Sequence, residues 1–146
     1  MTTTTVTCPH CNASNRLPTE RLSDKPKCGK CKHALFFGKS IELTSANLTA
    51  VLNRNEIPVL VDCWASWCGP CKSFAPVFEQ AAKELEPHVR LVKLDTEAQQ
   101  QIAGRWSIRS IPTLILFKKG KELDRLSGAV PLNQLKQWLQ QHGVSC

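Results

Sequence analysis

The sequence predicts an α/β fold, a central mixed sheet flanked by helices, preceded by a small N-terminal module organised around four cysteines. Three observations carry this. Strand-length apolar runs alternate with segments of helical periodicity through most of the chain. The last two apolar runs are separated only by a short turn at Lys119 and Gly120, which is a hairpin signal. Two Cys-x₂-Cys pairs stand ahead of all these elements, in a stretch with few apolar residues.

The N-terminal stretch comes first. Cys8 and Cys11 are separated from Cys28 and Cys31 by sixteen residues, a spacing that fits a Cys₄ zinc ribbon. Each pair can set two sulfurs on one tight knuckle, with Gly29 giving the second its backbone freedom. The intervening NASNRLPTERLSDKPK is polar and turn-rich and has no core of its own. One structural Zn²⁺ held by Cys8, Cys11, Cys28 and Cys31 is therefore expected to fold it. His10 and His33 lie close by, but four thiolates complete a tetrahedral shell, so both are expected to face solvent. The threonines at residues 2–5 read as a low-complexity run.

Residues 34–42 read as a join, with Gly38 separating Phe36 and Phe37 from the segments after it. This divides the chain into a zinc-binding module, 1–38, and a second domain, 39–146. Thr44 is expected to N-cap a helix carrying Leu48, Val51 and Leu52 on one face. Residues 58–65, PVLVDCWA, have the near-continuous apolar character of a parallel strand buried on both sides. Residues 71–86 have helical periodicity, and Pro76, which cannot bond the carbonyl of Lys72, is expected to kink that helix. Residues 89–95 form a second strand and 97–106 a short helix. Residues 112–128 form the hairpin. Leu132, Leu135, Trp138 and Leu139 then recur at helical spacing until Gly143 stops the helix.

Charge narrows the function. The net charge is +7 among 146 residues, and residues 1–40 hold seven Lys and Arg against two acids. Four thiolates around Zn²⁺ would add negative charge there, so the basic excess partly offsets a metal-thiolate centre and gives no argument for nucleic acid. No apolar run approaches a membrane span, and the start of the chain lacks the basic and apolar regions of a secretory signal. A soluble, monomeric, cytoplasmic protein without a membrane partner is expected. In a reducing compartment, eight cysteines suit metal or redox chemistry better than a structural disulfide framework.

The second kind of cysteine chemistry lies in DCWASWCGPCKSFAP, residues 62–76. With Cys68 at a helix start, its Cα and that of Cys71 fall about 5 to 6 Å apart, within disulfide range. The helix N-terminus favours thiolate at Cys68, which makes it the nucleophile and Cys71 the resolving thiol. Pro70 fits the first helical turn and stiffens the ring of atoms between the sulfurs. Asp62 is the odd residue of an apolar strand. Desolvation should raise its pKa and suit it to act as general base for Cys71, directly or through water. The alternative is a structural carboxylate paired with Lys93 on the next strand, and the two readings are compatible.

WCGPCK at 67–72, VDCWA before it, Pro76 after it, SIPTLILFKKG at 110–120 and Gly128-Ala129 together resemble the thioredoxin family across residues 41–146. The Cys₄ segment is similar to that of the zinc-binding bacterial form, thioredoxin 2. The resemblance implies a thioredoxin-like sheet and a cis Ile111-Pro112 peptide facing the disulfide. It also implies a flat docking surface of Trp67, Gly69, Pro70, Gly128 and Ala129, with the backbone of Ile111 pairing to an extended substrate. The implied activity is reduction of disulfide-containing client proteins, with recharging by a flavin-containing, NADPH-dependent thioredoxin reductase. Gly-Pro between the cysteines argues, on the family's pattern, for a reductant over an oxidant or isomerase. Cys63 and Ser66 depart from the family's usual residues; Cys63 is expected in the core, and Cys146 as an exposed inert thiol. Two other arrangements compete with this one: a redox-silent scaffold for the ribbon, and a second metal among Cys63, Cys68, Cys71 and Cys146. The zinc module is expected to be structural or, under oxidative stress, redox-sensing.

Overall fold

The computed structural model describes residues 2–146. Its first element overturns the low-complexity reading of the threonines. β1 (Thr3–Thr7) pairs antiparallel with β2 (Ser14–Pro18). β-branched threonines suit a pleated, half-buried surface, and Val6 and Thr7 at the end of β1 are buried. A short 3-10 turn, Thr19–Arg21, comes after β2.

The remaining elements are β3 (Ile41–Glu42), α1 (Leu48–Leu52), β4 (Val59–Trp64), α2 (Gly69–Leu85), β5 (Arg90–Asp95), α3 (Gln100–Arg105), β6 (Thr113–Lys118), β7 (Lys121–Ser127) and α4 (Leu132–Gln141). They form the expected mixed sheet, in the order β3-β5-β4-β6-β7. β3, β5 and β4 run parallel, and β6 is antiparallel to both β4 and β7. β3 falls within the stretch expected as a join; two residues are too few for an alternation signal.

The sheet separates two apolar layers. Leu60, Leu91 and Leu114 pack with Phe74 and Phe78 of α2 and with Leu135 and Leu139 of α4. Val61, Cys63, Leu94 and Ile115 pack with Val51 and Leu52 of α1 and Ile102 of α3. Cys63 is thus in the core, as expected. Alternation along β4 puts Asp62 on the first layer's side, with Leu60 and beneath α2.

Thr44 does not cap α1. Its Oγ1 accepts from the Ala46 N–H at 3.2 Å and its own N–H donates to Asn47 Oδ1 at 2.8 Å. It therefore fixes a turn at 45–47, and the helix begins one turn later, at Leu48. Pro76 lies inside α2 without ending it. The β6–β7 turn occurs where expected, with Lys119 and Gly120 both at positive φ.

Hydrogen bonds join the N-terminal segment to the sheet domain. Thr5 donates its N–H to Glu56 Oε1 at 2.6 Å and accepts the Glu56 N–H at 2.9 Å. Thr7 Oγ1 donates to the Ala50 carbonyl at 2.5 Å. Within the sheet domain, Glu79 of α2 accepts from both the N–H and the hydroxyl of Ser40. Arg90, 1% exposed, donates to the Leu35 carbonyl, lies 4.6 Å from the Phe36 ring centre and pairs with Glu86 at 2.8 Å.

Candidate functional site

β4 delivers the chain to the dithiol. Cys68 is the N-cap of α2, with extended backbone, and its Sγ accepts the Cys71 N–H at 3.2 Å. A sulfur thus satisfies an N–H that a helix start otherwise leaves orphaned. Pro70 occupies the first turn, where its missing N–H is no loss. The two Cα atoms are 5.3 Å apart and the sulfurs are bonded to each other. One helical turn therefore holds the pair at bonding distance with no rearrangement of the fold.

Cys68 and Cys71 are both buried and pack with Ala65, Trp64 and Ile111. Trp67 beside them is 69% exposed, and Gly69 and Pro70 are exposed as well. The Ile111-Pro112 peptide is cis, and the Ile111 carbonyl oxygen lies 3.7 Å from Cys68 Sγ. Gly128 donates its N–H to the Pro112 carbonyl at 2.8 Å. The second loop, with half-buried Gly128 and exposed Ala129, is thereby tied to the first. A cleft of about 280 Å³ opens beside Trp67, lined in part by Thr96, Gln100, Ile108, Arg109 and Ile111. Ser66 Oγ donates to Glu97 Oε1 at 3.2 Å, tying the Trp67 loop to the segment after β5. Sequence reasoning does not find Arg109, Gln100 or Glu97. They are polar loop residues whose importance depends on where distant loops meet.

Asp62 is buried, and neither carboxylate oxygen has a hydrogen-bond partner among the described residues. Burial pushes its pKa up to about 7, against the lowering pull of the Lys93 charge and with a smaller upward push from Glu79. Lys93 is the cross-strand neighbour of Asp62 but forms no ion pair with it among the described residues. Its Nζ lies 4.8 Å from the Trp64 ring centre, over the face of the ring. Asp62 is thus a carboxyl poised to exchange a proton near neutral pH.

In the N-terminal module, Cys8, Cys11, Cys28 and Cys31 bring their sulfurs within 4.8 Å of one another. Cys8 and Cys31, and likewise Cys11 and Cys28, approach to 3.6 Å. A tetrahedron with Zn–S bonds of about 2.3 Å has edges of about 3.8 Å, so the donor set fits such an ion. The His10 N–H points at Cys8 Sγ, and the Lys30 N–H and the Asn15 amide point at Cys28 Sγ. Hydrogen bonding from the Cys31 and Lys30 backbone and from Asn15 holds the Cys28 thiol down at about 5. Burial pushes Cys8 up to about 12, a thiol that ionises against a cation. His10 and His33 are exposed and stack on each other at 4.4 Å. Asn15, unread in the sequence, ties β2 to the second knuckle by also accepting the Gly29 N–H at 2.9 Å. The second four-cysteine arrangement does not form. Cys63 faces the α1–α3 side of the sheet, and the exposed Cys146 lies against the Lys136 carbonyl.

A bonded cysteine pair capping the helix after a central parallel strand, beside a cis proline, defines a thiol–disulfide oxidoreductase. The thioredoxin profile matches residues 39–141 and the profile for the N-terminal part of thioredoxin 2 matches 7–33, so this chain belongs to the thioredoxin family. Thioredoxin C-3 of Corynebacterium nephridii is 45% identical over 136 residues, 93% of each chain. Thioredoxin 1 of a Nostoc species and thioredoxin of Porphyra purpurea are each 42% identical over 101 residues, 69% of this chain and 94% of theirs. The similarity to thioredoxin C-3 thus runs through most of the N-terminal module as well. Among the described residues, no helix is long and apolar enough to cross a membrane.

Proposed function

We propose that the protein reduces disulfides in client proteins, with Cys68 as nucleophile and Cys71 as resolving thiol. The Cys68 thiolate attacks one client sulfur, forming a mixed disulfide and releasing the other client sulfur as thiolate. Cys71, losing its proton to Asp62 directly or through water, then attacks Cys68 Sγ. The second client thiolate leaves, and two electrons have passed to the client as Cys68 and Cys71 become bonded. Trp67, Gly69, Pro70, Ile111, Pro112, Gly128 and Ala129 form the face on which the client lies. Lys93, held against Trp64, moderates the rise in the Asp62 pKa.

The observation that carries this reading is the Cys68 sulfur at the N-cap, accepting the Cys71 N–H. The same donor and the positive end of the helix stabilise a thiolate at Cys68. A flavin-containing, NADPH-dependent thioredoxin reductase is the proposed source of electrons, and the cytoplasm the proposed compartment. Residues 1–38 act as a zinc-binding module and 39–146 as the catalytic domain. Zinc, bound by Cys8, Cys11, Cys28 and Cys31, supplies the cross-link that holds the two knuckles together. The test is a coupled disulfide-reduction assay with NADPH and thioredoxin reductase, run on the full chain and on residues 40–146. Absence of NADPH consumption with the full chain would refute the reductase-coupled reading.

A further inference from the structure

The N-terminal module and the sheet domain together enclose a groove of about 620 Å³ at the C-terminal end of α2. That volume lies within the roughly 300–1,000 Å³ of built binding clefts. Leu22, Phe36, Phe37 and Pro87 give it an apolar floor, and Lys25, Lys27 and Lys83 a cationic rim. Phe37, at 39% exposed, is one of few large apolar side chains left open to solvent.

The acids in the groove are already engaged. Glu84 pairs with Lys136, and Glu86 pairs with Arg90 and accepts the Gly38 N–H at 2.8 Å. Among the described residues, none of the three rim lysines has a carboxylate within 4.0 Å. The groove therefore presents uncompensated positive charge around an apolar floor.

The floor is fixed in advance of binding. Arg90 supports Phe36 from below, at 4.6 Å from its ring centre. Gly38, at φ +72, a backbone conformation that favours glycine, packs against α2 at ordinary contact distance, a Cβ there lying 3.6 Å from the Lys83 Cα. A site already assembled saves a ligand the ordering of its receptor. The groove is also remote from the dithiol. Cys68 caps one end of α2 and Lys83 lies in its last turn, about 20 Å away at about 1.5 Å per residue.

We propose that this groove docks an acidic segment of a client protein through an apolar anchor, separately from the face that receives the client's disulfide. Three separated point charges around one apolar floor suit a short acidic segment better than a phosphate backbone, which rewards a continuous cationic track. That the segment belongs to a client rests on the disulfide-reducing reading above; the binding itself does not.

The test uses the full-length, zinc-loaded, oxidised protein. The probe is a fluorescein-labelled peptide of Asp and Glu around a single Phe, read by anisotropy. Lys25→Glu/Lys27→Glu/Lys83→Glu should weaken its binding about tenfold or more, the scale of several surface charges reversed together. Phe37→Ser should weaken it in its own right, while Lys118→Glu/Lys121→Glu, on the β6–β7 hairpin, should not. Equal binding of the charge-reversed Lys peptide, or an unchanged affinity in the triple variant, overturns the proposal. Tighter binding of a single-stranded oligonucleotide, lost in the same variant, assigns the groove to nucleic acid instead. A second arm, with the Cys68–Cys71 dithiol first reduced by dithiothreitol and the reductant removed, compares reduction of a peptide disulfide with an acidic tail and with a neutral tail. Failure of both reductions removes the redox reading and leaves the anisotropy result standing. Equal rates in the parent overturn the role in client selection.

Discussion

Arg90 of β5 donates to the carbonyl of Leu35 across 2.6 Å, so the sheet domain satisfies a backbone acceptor of the N-terminal segment from its own interior. Glu86 completes the arrangement from the end of α2 at 2.8 Å. Burial lowers the pKa of Arg90 and raises that of Glu86, and each partner's charge opposes the other's shift. The pair stays ionised because the two charges are buried together.

Arg90→Met should therefore be severely destabilising. Removing one member of a buried ion pair strands the other, which typically costs about 3 to 5 kcal/mol. Denaturant unfolding measures the loss, and Glu86→Gln added to Arg90→Met should recover most of it. A loss below about 1 kcal/mol would show that the pair is hydrated in solution.

Substitutions at the dithiol separate the proposed roles. Cys68→Ser should abolish disulfide reduction, and Cys71→Ser should accumulate client proteins joined covalently through Cys68, because attack proceeds and resolution cannot. Mass spectrometry of the trapped complexes identifies the bonded cysteine. Complexes formed through Cys71 in the Cys68→Ser variant would reverse the assignment.

Asp62→Asn should raise stability at alkaline pH while slowing resolution. The unfolded carboxyl ionises at the ordinary value of 3.8 and the folded one at about 7. Between those values the native state holds the extra proton, so stability falls as pH rises through the folded pKa and the full penalty is present above it. At about 1.4 kcal/mol per pKa unit, the variant should gain a few kcal/mol at about pH 8 and nothing at about pH 4. Resolution should slow on the order of tenfold. Parallel stability curves for parent and variant from acid to alkaline pH would remove the buried charge from the account.

Metal removal tests how far the two units are independent. The sequence suggests separate sources of stability, with chelation unfolding only the first 35 or so residues. The contacts of Thr5, Thr7 and Leu35 with Glu56, Ala50 and Arg90 argue for coupling. Chelation should therefore also lower the melting temperature of the catalytic domain, by several degrees for about 1 to 2 kcal/mol lost, while disulfide reduction persists at 25 °C. Colorimetric zinc release followed alongside calorimetry checks both parts, and an unchanged domain transition would restore independence.

The dithiol is legible in the sequence because its chemistry is local: three residues, one helix start and one proline are enough to place two sulfurs. The four metal-binding cysteines are legible by spacing. Asp62 stands out as a charge in a strand otherwise apolar, and the same logic applied to 89–95 points to Arg90. It does not suffice there, because a long basic side chain in a strand usually reaches solvent, and only the Phe36 and Leu35 cover reveals its burial. Lys93 is expected against Asp62, yet it sits over Trp64, where the ring face offers the cation a partner without burial. The β1–β2 hairpin escapes sequence reasoning because four consecutive threonines carry no alternation of polarity to mark a strand.

Cys68 is only 4% exposed and meets solvent beside Trp67, which has a kinetic consequence. On the proposed mechanism, whatever supplies electrons and whatever takes them away come to the same sulfur over the same few residues. The two encounters exclude one another in time, so turnover must alternate between them in the double-displacement pattern, with parallel double-reciprocal lines. Each partner in excess should then compete with the other for the form of the protein it cannot use. The chain behaves as a shuttle with a single door, and its throughput is set by how quickly each visitor leaves.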